Sequence, residues 1–266
     1  MQQQPCVLAV RNAHPRDVNI SFEEADHVYT VLGERGTYTS VTTFVHTLFS
    51  HFDAAEALDK ILTNRKMSDP TYKYYGMTRE MIEAMWEKNR IEASGAGTKM
   101  HFDIECYYNE LEVENASVEF SYFMRFVADF PWLKAYRTEW TVYHEELKIS
   151  GSIDMVFRDE RDGKFYIYDW KRSKEIKYDD DFCDFGIVDC IRHLPNLNFW
   201  HYSMQLGVYK AILEEKYGLE IAGMYLIVLH PDNKNYERIQ THDLSKEIAE
   251  LFAQRRAVVQ YLNLPV

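Results

Sequence analysis

Two strand-like runs joined by a tight turn constrain the fold of this chain more than any other feature. The runs are residues 148–158 (KISGSIDMVFR) and 164–171 (KFYIYDWK), both of which carry β-branched and aromatic side chains. The Asp-Gly dipeptide at 162–163 between them is typical of hairpin turns, so the sequence predicts an antiparallel hairpin. Asp154 and Asp169 are about equally far from this turn, and we therefore expect them side by side on neighbouring strands.

The end of the second strand places an acid and a base on one face. Residues i and i+2 of a strand point the same way, so Asp169 and Lys171 project together while Trp170 points to the opposite face. Two converging carboxylates suit a hard divalent cation such as Mg²⁺, and the Trp170 carbonyl is a further candidate oxygen ligand. The alternative is structural, with Asp154 pairing with Lys171 or Arg172 in a cross-strand salt bridge.

The rest of the chain alternates between helical and strand-like patterns. Apolar residues at helical spacing predict helices over 52–64, 79–111, 117–130, 200–217 and 244–261. Alternating patterns predict further strands at 137–145 and 221–229 and short strands around Gly33 and Gly36. Ser40 or Thr42 is expected to cap a helix that begins near VTTFVHTLF. This order of elements predicts a mixed α/β architecture.

The charge of the chain is unevenly distributed. The net charge of −12 argues against nucleic acid as a partner, because phosphate binding depends on Lys and Arg. Residues 146–177, however, contain eight Lys and Arg against seven Asp and Glu. The net charge therefore does not exclude a basic groove beside an acidic, metal-binding centre.

The N-terminal segment and the spacing of the cysteines do not indicate a secreted protein. The N-terminus (MQQQPCVLAVRNAHPRDV) has no basic region before its short apolar run, and no run approaches the length of a membrane span. The four cysteines lack CxxC spacing, which argues against a zinc ribbon and favours reduced thiols. We expect an intracellular, soluble protein that does not bind a membrane.

Two further helical pairs and one glycine extend the candidate site. His101 and Glu105 are four residues apart in a predicted helix, and so are Gln205 and Tyr209, which places each pair on one helix face. Gly151 lies three residues before Asp154 and would permit close approach of a neighbouring group. The structural alternative is that His101 is an ordinary helix residue partnered by Glu105.

Four short motifs, taken in order along the chain, resemble those of one nuclease group. They are His101, GSID with Asp154, DWK with Asp169 and Lys171, and QLGVY with Gln205 and Tyr209. This group is the RecB-type branch of the PD-(D/E)XK nuclease superfamily. The segments SVTTF, GTKMH and IYDWKRS are most similar to the mitochondrial genome-maintenance exonuclease and to exonucleases of large DNA viruses and phages, including the lambda type. The resemblance spans about residues 38–217.

The resemblance implies a restriction-endonuclease-like fold, in which a central mixed sheet is flanked by helices after an N-terminal helical region. We expect a single domain over 1–266, because seven Pro and eleven Gly leave no long linker and no repeat is found. Its parts would be an N-terminal hairpin and helices (1–95), a catalytic core (96–230) and a C-terminal strand and helix (231–266).

The resemblance also assigns roles. It implies that His101, Asp154, Asp169 and the Trp170 carbonyl bind the metal and that Lys171 lies near the attacking water. It further implies that Gln205 and Tyr209 help to position the lysine or the DNA and that Ser40 and Thr42 contact the nucleic-acid backbone. Arg172, in the basic segment that follows the strand, is a further candidate for substrate contact. Glu105 and Glu139 are candidates for supporting or second-metal carboxylates, and the alternative for each is an ordinary structural acid.

The implied activity is that of a Mg²⁺-dependent DNA exonuclease, with Mn²⁺ as a substitute, acting on single- or double-stranded ends. Its setting would be recombination, repair or viral genome processing. The alternatives are a structure-specific endonuclease and a nucleic-acid-binding module that does not cleave. Many relatives bind an iron-sulfur cluster through one early and three late cysteines, and because this chain lacks the late triplet we expect no such cluster.

Overall fold

The helices and strands of the chain follow the predicted order. The computed structural model describes residues 6–262, so residues 1–5, which begin the stretch considered for a signal peptide, and 263–266 lie outside the described part. The helices are α1 (Val7–Arg11), α2 (Val41–His46), α3 (Ala54–Leu62), α4 (Arg79–Tyr108), α5 (Val118–Asp129), α6 (Asn198–Tyr217) and α7 (Ser245–Leu262). The strands are β1 (Ile20–Glu23), β2 (Val28–Val31), β3 (Glu34–Arg35), β4 (Thr39–Ser40), β5 (Leu133–His144), β6 (Ile149–Asp159), β7 (Phe165–Lys171), β8 (Ile221–Val228) and β9 (Glu237–Gln240). Within residues 6–262, none of the helices combines the length and the apolar character that a membrane crossing requires.

Strand β6 lies at the centre of a six-stranded mixed sheet. It pairs antiparallel with β5 along most of its length, and antiparallel with β7 through Met155–Arg158. Strand β4 pairs parallel with the start of β6, β8 runs parallel to β7, and β9 pairs antiparallel with β8. The predicted hairpin of β6 and β7 is confirmed, and its turn contains Gly163 at a φ of 73°, a left-handed backbone that glycine adopts without strain.

Alternation along β7 sends its side chains into two separate cores. Ile167 packs with α2, α6 and α7, whereas Tyr168 and Trp170 pack with α5 and the end of α4. The second core is rich in aromatic rings, and the Phe126 ring of α5 lies 5.6 Å from the Trp170 ring between centroids. Helices therefore cover both faces of the sheet, which confirms the predicted mixed α/β fold with a sheet flanked by helices.

A small sheet and a capped helix precede the main sheet. Strand β2 pairs antiparallel with β1 and with β3, which confirms the predicted short strands around Gly33 and Gly36. Ser40 caps α2, because its hydroxyl oxygen accepts a hydrogen bond from the Thr43 amide at 3.0 Å. The predicted helix start near VTTFVHTLF is thus confirmed.

The described residues form two compact units. The larger unit contains the residues up to Ser50 and those from Met100 onward, so it includes the main sheet and the candidate site. The smaller unit, His51–Lys99, contains α3 and the first part of α4. Inside this unit the Trp86 indole donates a hydrogen bond to the Tyr74 hydroxyl at 3.2 Å. The single-domain boundaries given above remain a prediction.

Phe126→Ala should destabilise the protein by about 3–5 kcal/mol, because it removes a buried ring from the aromatic core and leaves a cavity. Phe126 is 1% exposed, whereas Phe182 is 96% exposed and provides the matched control. Phe182→Ala should change the free energy of unfolding by less than about 0.5 kcal/mol. Chemical denaturation of both variants measures the difference, and equal stability of the two would contradict this assignment of the core.

Candidate metal centre

Three neighbouring strands bring three acids to one level of the main sheet. Met155 in β6 pairs with β5 on one side and with β7 on the other. The next position along each strand is an acid: Glu139 in β5, Asp154 in β6 and Asp169 in β7. Asp154 and Asp169 therefore lie on neighbouring strands, as the hairpin count predicts, and Glu139 extends the row across a third strand.

His101 lies against two of these acids. Its Nδ1 is 3.5 Å from Asp154 Oδ2 and 3.7 Å from Glu139 Oε1. One ligand atom from each of the three side chains lies within 4.8 Å of the other two, which is a spacing that could hold a metal ion. His101 Nε2 is 2.9 Å from the Trp170 carbonyl oxygen, so Nε2–H donates a hydrogen bond to that carbonyl. This contact orients the ring with Nδ1 facing the acids.

Lys171 pairs with Asp169 and lies beside α6. Its Nζ is 2.7 Å from Asp169 Oδ2, so the ammonium and the carboxylate form a close ion pair. The same ammonium lies 4.6 Å from the centroid of the Tyr202 ring, in a cation–π contact. The prediction that Asp169 and Lys171 share a face while Trp170 points the other way is confirmed.

The structural alternative for Asp154 does not occur among the described residues. Lys171 pairs with Asp169, and the Arg172 guanidinium Nε donates to Glu119 Oε1 of α5 at 2.7 Å. Asp154 Oδ2 instead accepts a hydrogen bond from the Trp170 backbone amide at 2.9 Å. Arg172 is thus paired with Glu119, and its contact with substrate stays a prediction.

Burial and charge determine the protonation of the carboxylate row. Burial raises the pKa of both Asp154 and Asp169. The charge of Glu139 raises the pKa of Asp154 further, and the charge of Asp154 does the same for Asp169. Burial lowers the pKa of Lys171, but the carboxylates of Asp169 and Asp154 outweigh it and hold that pKa above its ordinary value. Lys171 is therefore a fixed positive charge at neutral pH.

The excess of negative charge also raises the pKa of His101. Burial lowers its pKa, but Asp154 and Glu139 outweigh burial and raise the pKa to about 9. An imidazole that remains protonated at neutral pH acts as the positive partner of two carboxylates. A divalent cation bound among the same atoms would take over that role.

Tyr209 packs on the backbone of the GSID segment. A Cβ placed at Gly151 would lie 2.8 Å from both Cε1 and the hydroxyl oxygen of Tyr209, so the close approach predicted at this glycine is confirmed. Burial raises the pKa of Tyr209, as do Asp154 and Asp169, whereas a hydrogen bond with Gln205 lowers it. The QLGVY and GSID motifs therefore meet beside the carboxylate row.

The remaining predicted residues lie at the edges of this site. Ser40 caps α2, and Thr42 on the first turn of that helix lines a recess next to Lys171. Glu105 lies one helical turn after His101, where burial and the charge of Glu139 raise its pKa to about 7. Sequence reasoning gave no role to Tyr202, although its position three residues before Gln205 in α6 indicates a shared helix face.

Glu139 has an unusual backbone conformation for a residue inside a strand. Its φ of 41° is left-handed in the middle of β5, a conformation that costs a non-glycine residue free energy of order 1–3 kcal/mol. Such strain concentrates at functional sites, and here it accompanies the residue that faces His101 and Asp154. Its second carboxylate oxygen accepts a hydrogen bond from the Ser152 hydroxyl at 3.1 Å.

Fold and site together define a class of protein: a mixed α/β protein whose central sheet gathers acids, an imidazole and a lysine, the groups that metal-dependent hydrolases use. A family model described as the PD-(D/E)XK nuclease superfamily matches residues 34–263. The chain belongs to the PD-(D/E)XK nuclease superfamily.

Other comparisons add little to this assignment. A solved structure titled "Crystal structure of SSO0001" is 13% identical, with 84% of this chain and 76% of that chain covered, at a TM-score of 0.30. A comparison with curated proteins gave no match. The superfamily assignment therefore rests on the family match.

Cation binding at this site should release a proton from His101. His101 must be neutral to bind a cation, and its pKa is about 9. Below that pH, the apparent affinity for Mn²⁺ should therefore fall about tenfold for each unit by which the pH is lowered. Titration calorimetry at pH 7, in buffers of different ionisation enthalpy, should show the release of about one proton for each ion bound.

His101→Gln should abolish this proton release, whereas His193→Gln, which changes a histidine with a 59% exposed side chain, should leave it intact. An affinity that stays constant between pH 7 and pH 9, with no proton released, would show that His101 does not take part in cation binding.

Proposed function

We propose that this protein is a Mg²⁺- or Mn²⁺-dependent DNA nuclease that removes nucleotides from DNA ends. The observation that carries the proposal is the carboxylate row with His101 on one side and the Asp169–Lys171 pair on the other. Membership of the nuclease superfamily supports phosphodiester hydrolysis. The choices of DNA and of an exonuclease rest on the resemblance of the GTKMH, GSID and IYDWKRS segments to RecB-type and lambda-type enzymes.

The side chains present fit a hard divalent cation. Asp154 and Glu139 supply oxygen atoms and His101 a nitrogen atom, all within 4.8 Å of one another, and the buried Asp169 carboxylate lies on the neighbouring strand, paired with Lys171. We propose that His101, Asp154 and Asp169 hold the cation and that Glu139 adds charge to the same site. A bound Mg²⁺ or Mn²⁺ would polarise the phosphoryl group and make a water molecule more acidic.

The Trp170 backbone orients two of these residues. Its amide donates to Asp154 Oδ2, and its carbonyl accepts from His101 Nε2. The carbonyl was expected to bind the metal itself, and in the arrangement described it already accepts a hydrogen bond from the imidazole. We propose that this carbonyl fixes the orientation of His101, a role that backbone carbonyls commonly have behind metal-binding histidines.

Lys171 stabilises charge rather than accepting a proton. Asp169 and Asp154 hold the pKa of Lys171 above its ordinary value, so the ammonium is protonated at neutral pH, which suits a charge-stabilising group better than a base. Its positive charge, oriented by Asp169 and by the Tyr202 ring, can interact with the negative charge that develops on the phosphoryl oxygens.

We propose supporting roles for four other predicted residues. Tyr209 holds the backbone at Gly151, and Gln205 contacts Tyr209, so both help to position the acids of the hairpin. Ser40 and Thr42 lie at the start of α2, where their hydroxyl groups can contact the substrate backbone. Arg172 is left out of this proposal because Glu119 holds its guanidinium.

The proposal predicts degradation of end-labelled linear DNA in the presence of Mg²⁺ or Mn²⁺. Lys171→Met should lower the rate by about 10²–10³-fold, because it removes a fixed charge from the reacting phosphoryl group. Lys174→Met is the matched control, since Lys174 lies three residues later with a 73% exposed side chain paired with Asp232. This control should keep the wild-type rate.

Covalently closed circular DNA distinguishes the alternatives. An exonuclease leaves closed circles intact, and the use of 5′- and 3′-labelled linear DNA gives the polarity of cleavage. Cleavage of the circles at the rate of linear DNA would indicate the structure-specific endonuclease instead. Binding of DNA without cleavage in either metal would overturn the nuclease activity and leave the binding module.

A further inference from the structure

A recess of about 270 Å³ opens next to Lys171, on the side of the site formed by α2 and α6. Its walls come from two short stretches of sequence and the end of β7. The lining includes His46, Lys171, His201 and Tyr202. Because Lys171 belongs both to this recess and to the site, a group bound here lies next to the phosphate on which Lys171 would act.

The rings of the recess are held in place. Phe49 stacks on the His201 ring, with the centroids 4.1 Å apart and the planes 26° apart. His201 Nε2 lies 2.8 Å from Asn196 Oδ1, which fixes the ring in its plane, and the His46 ring is 6.2 Å away between centroids. The Tyr202 ring contacts the Lys171 ammonium.

The His201 ring offers an uncharged π-surface. Burial and the nearby His46 together lower the pKa of His201 to about 4, so its imidazole is neutral at neutral pH. Lys171 is the only Lys or Arg in the lining, and the proposed function assigns its ammonium to the scissile phosphate. A phosphate group would need further positive charge, whereas a nucleobase needs π-faces on which to stack.

We propose that this recess binds the unpaired base of a nucleotide adjacent to the scissile phosphate, with His46 and His201 as the residues that stack on it. The inference rests on the proposed nuclease function and adds a contact to the base. The recess is smaller than the pockets of about 300–1,000 Å³ that bind drug-sized ligands, so it suits one base rather than a base pair. The bound nucleotide is therefore single-stranded or frayed from its partner.

The test combines removal of the base with removal of the rings. Single-stranded oligonucleotides carry one abasic residue at the first, second or third position from either end, and kcat/KM is compared with that of the unmodified oligonucleotide. For the wild-type protein, the abasic residue at one position should lower kcat/KM about tenfold or more, which is the effect of losing one stacked base.

His46→Ala and His201→Ala should lower kcat/KM on the unmodified oligonucleotide by a similar factor and show no further loss on the abasic one. His193→Ala, which changes an exposed histidine outside the recess, should behave as the wild type does. Thermal unfolding checks that the variants fold. Equal wild-type rates on all the oligonucleotides, or an abasic effect that persists in both recess variants, would overturn the inference.

A binding measurement without cleavage distinguishes a failure of this inference from a failure of the proposed nuclease function. Fluorescence anisotropy with the same labelled oligonucleotides in EDTA measures the contribution of the base without cleavage. One outcome is that no oligonucleotide is cleaved, that the base still contributes to binding, and that His46→Ala and His201→Ala abolish this contribution. The proposed nuclease function then fails, and the base-binding role of the recess is supported. If the base contributes to neither binding nor cleavage, the recess assignment fails whatever the activity.

Discussion

The mutual repulsion of three carboxylates at one level of the sheet is the constraint on which the rest of the site depends. Glu139, Asp154 and Asp169 occupy neighbouring strands, and burial together with their proximity raises the pKa of both aspartates. Buried charges of one sign are costly unless positive partners offset them. His101 and Lys171 are those partners in the structure described, and a divalent cation fits the same need.

Strand β7 couples this site to the stability of the fold. Asp169 and Lys171 point toward α6, while Tyr168 and Trp170 anchor the other face of the strand in the aromatic core. The Trp170 backbone also orients His101 and Asp154. Displacement of the Trp170 ring in the core would therefore disturb the side chains of the candidate site, so packing and the site depend on the same four residues of β7, about 10 Å of strand.

Local patterns predict the parts of the site that lie within one hairpin or one helix. The Asp-Gly turn specifies the register of Asp154 and Asp169, and i, i+4 spacing places Gln205 beside Tyr209. Glu139 was only a candidate from the sequence, because its place in the row depends on the pairing of β5 with β6, which shifts register between Ala135 and Arg137. The Arg172–Glu119 pair and the rings around His201 depend on packing between distant segments, for which no local pattern exists.

The central claim is that the carboxylate row and His101 form one cation site. Anomalous X-ray diffraction from crystals soaked in Mn²⁺ tests it most directly, because the scattering locates the ion independently of activity. The expected result is one strong peak bounded by His101 Nδ1 and the carboxylates of Asp154 and Asp169, with Glu139 beside it. A row that stays free of anomalous scattering, or a peak held by Glu105 and Glu139 without the aspartates, would contradict the claim.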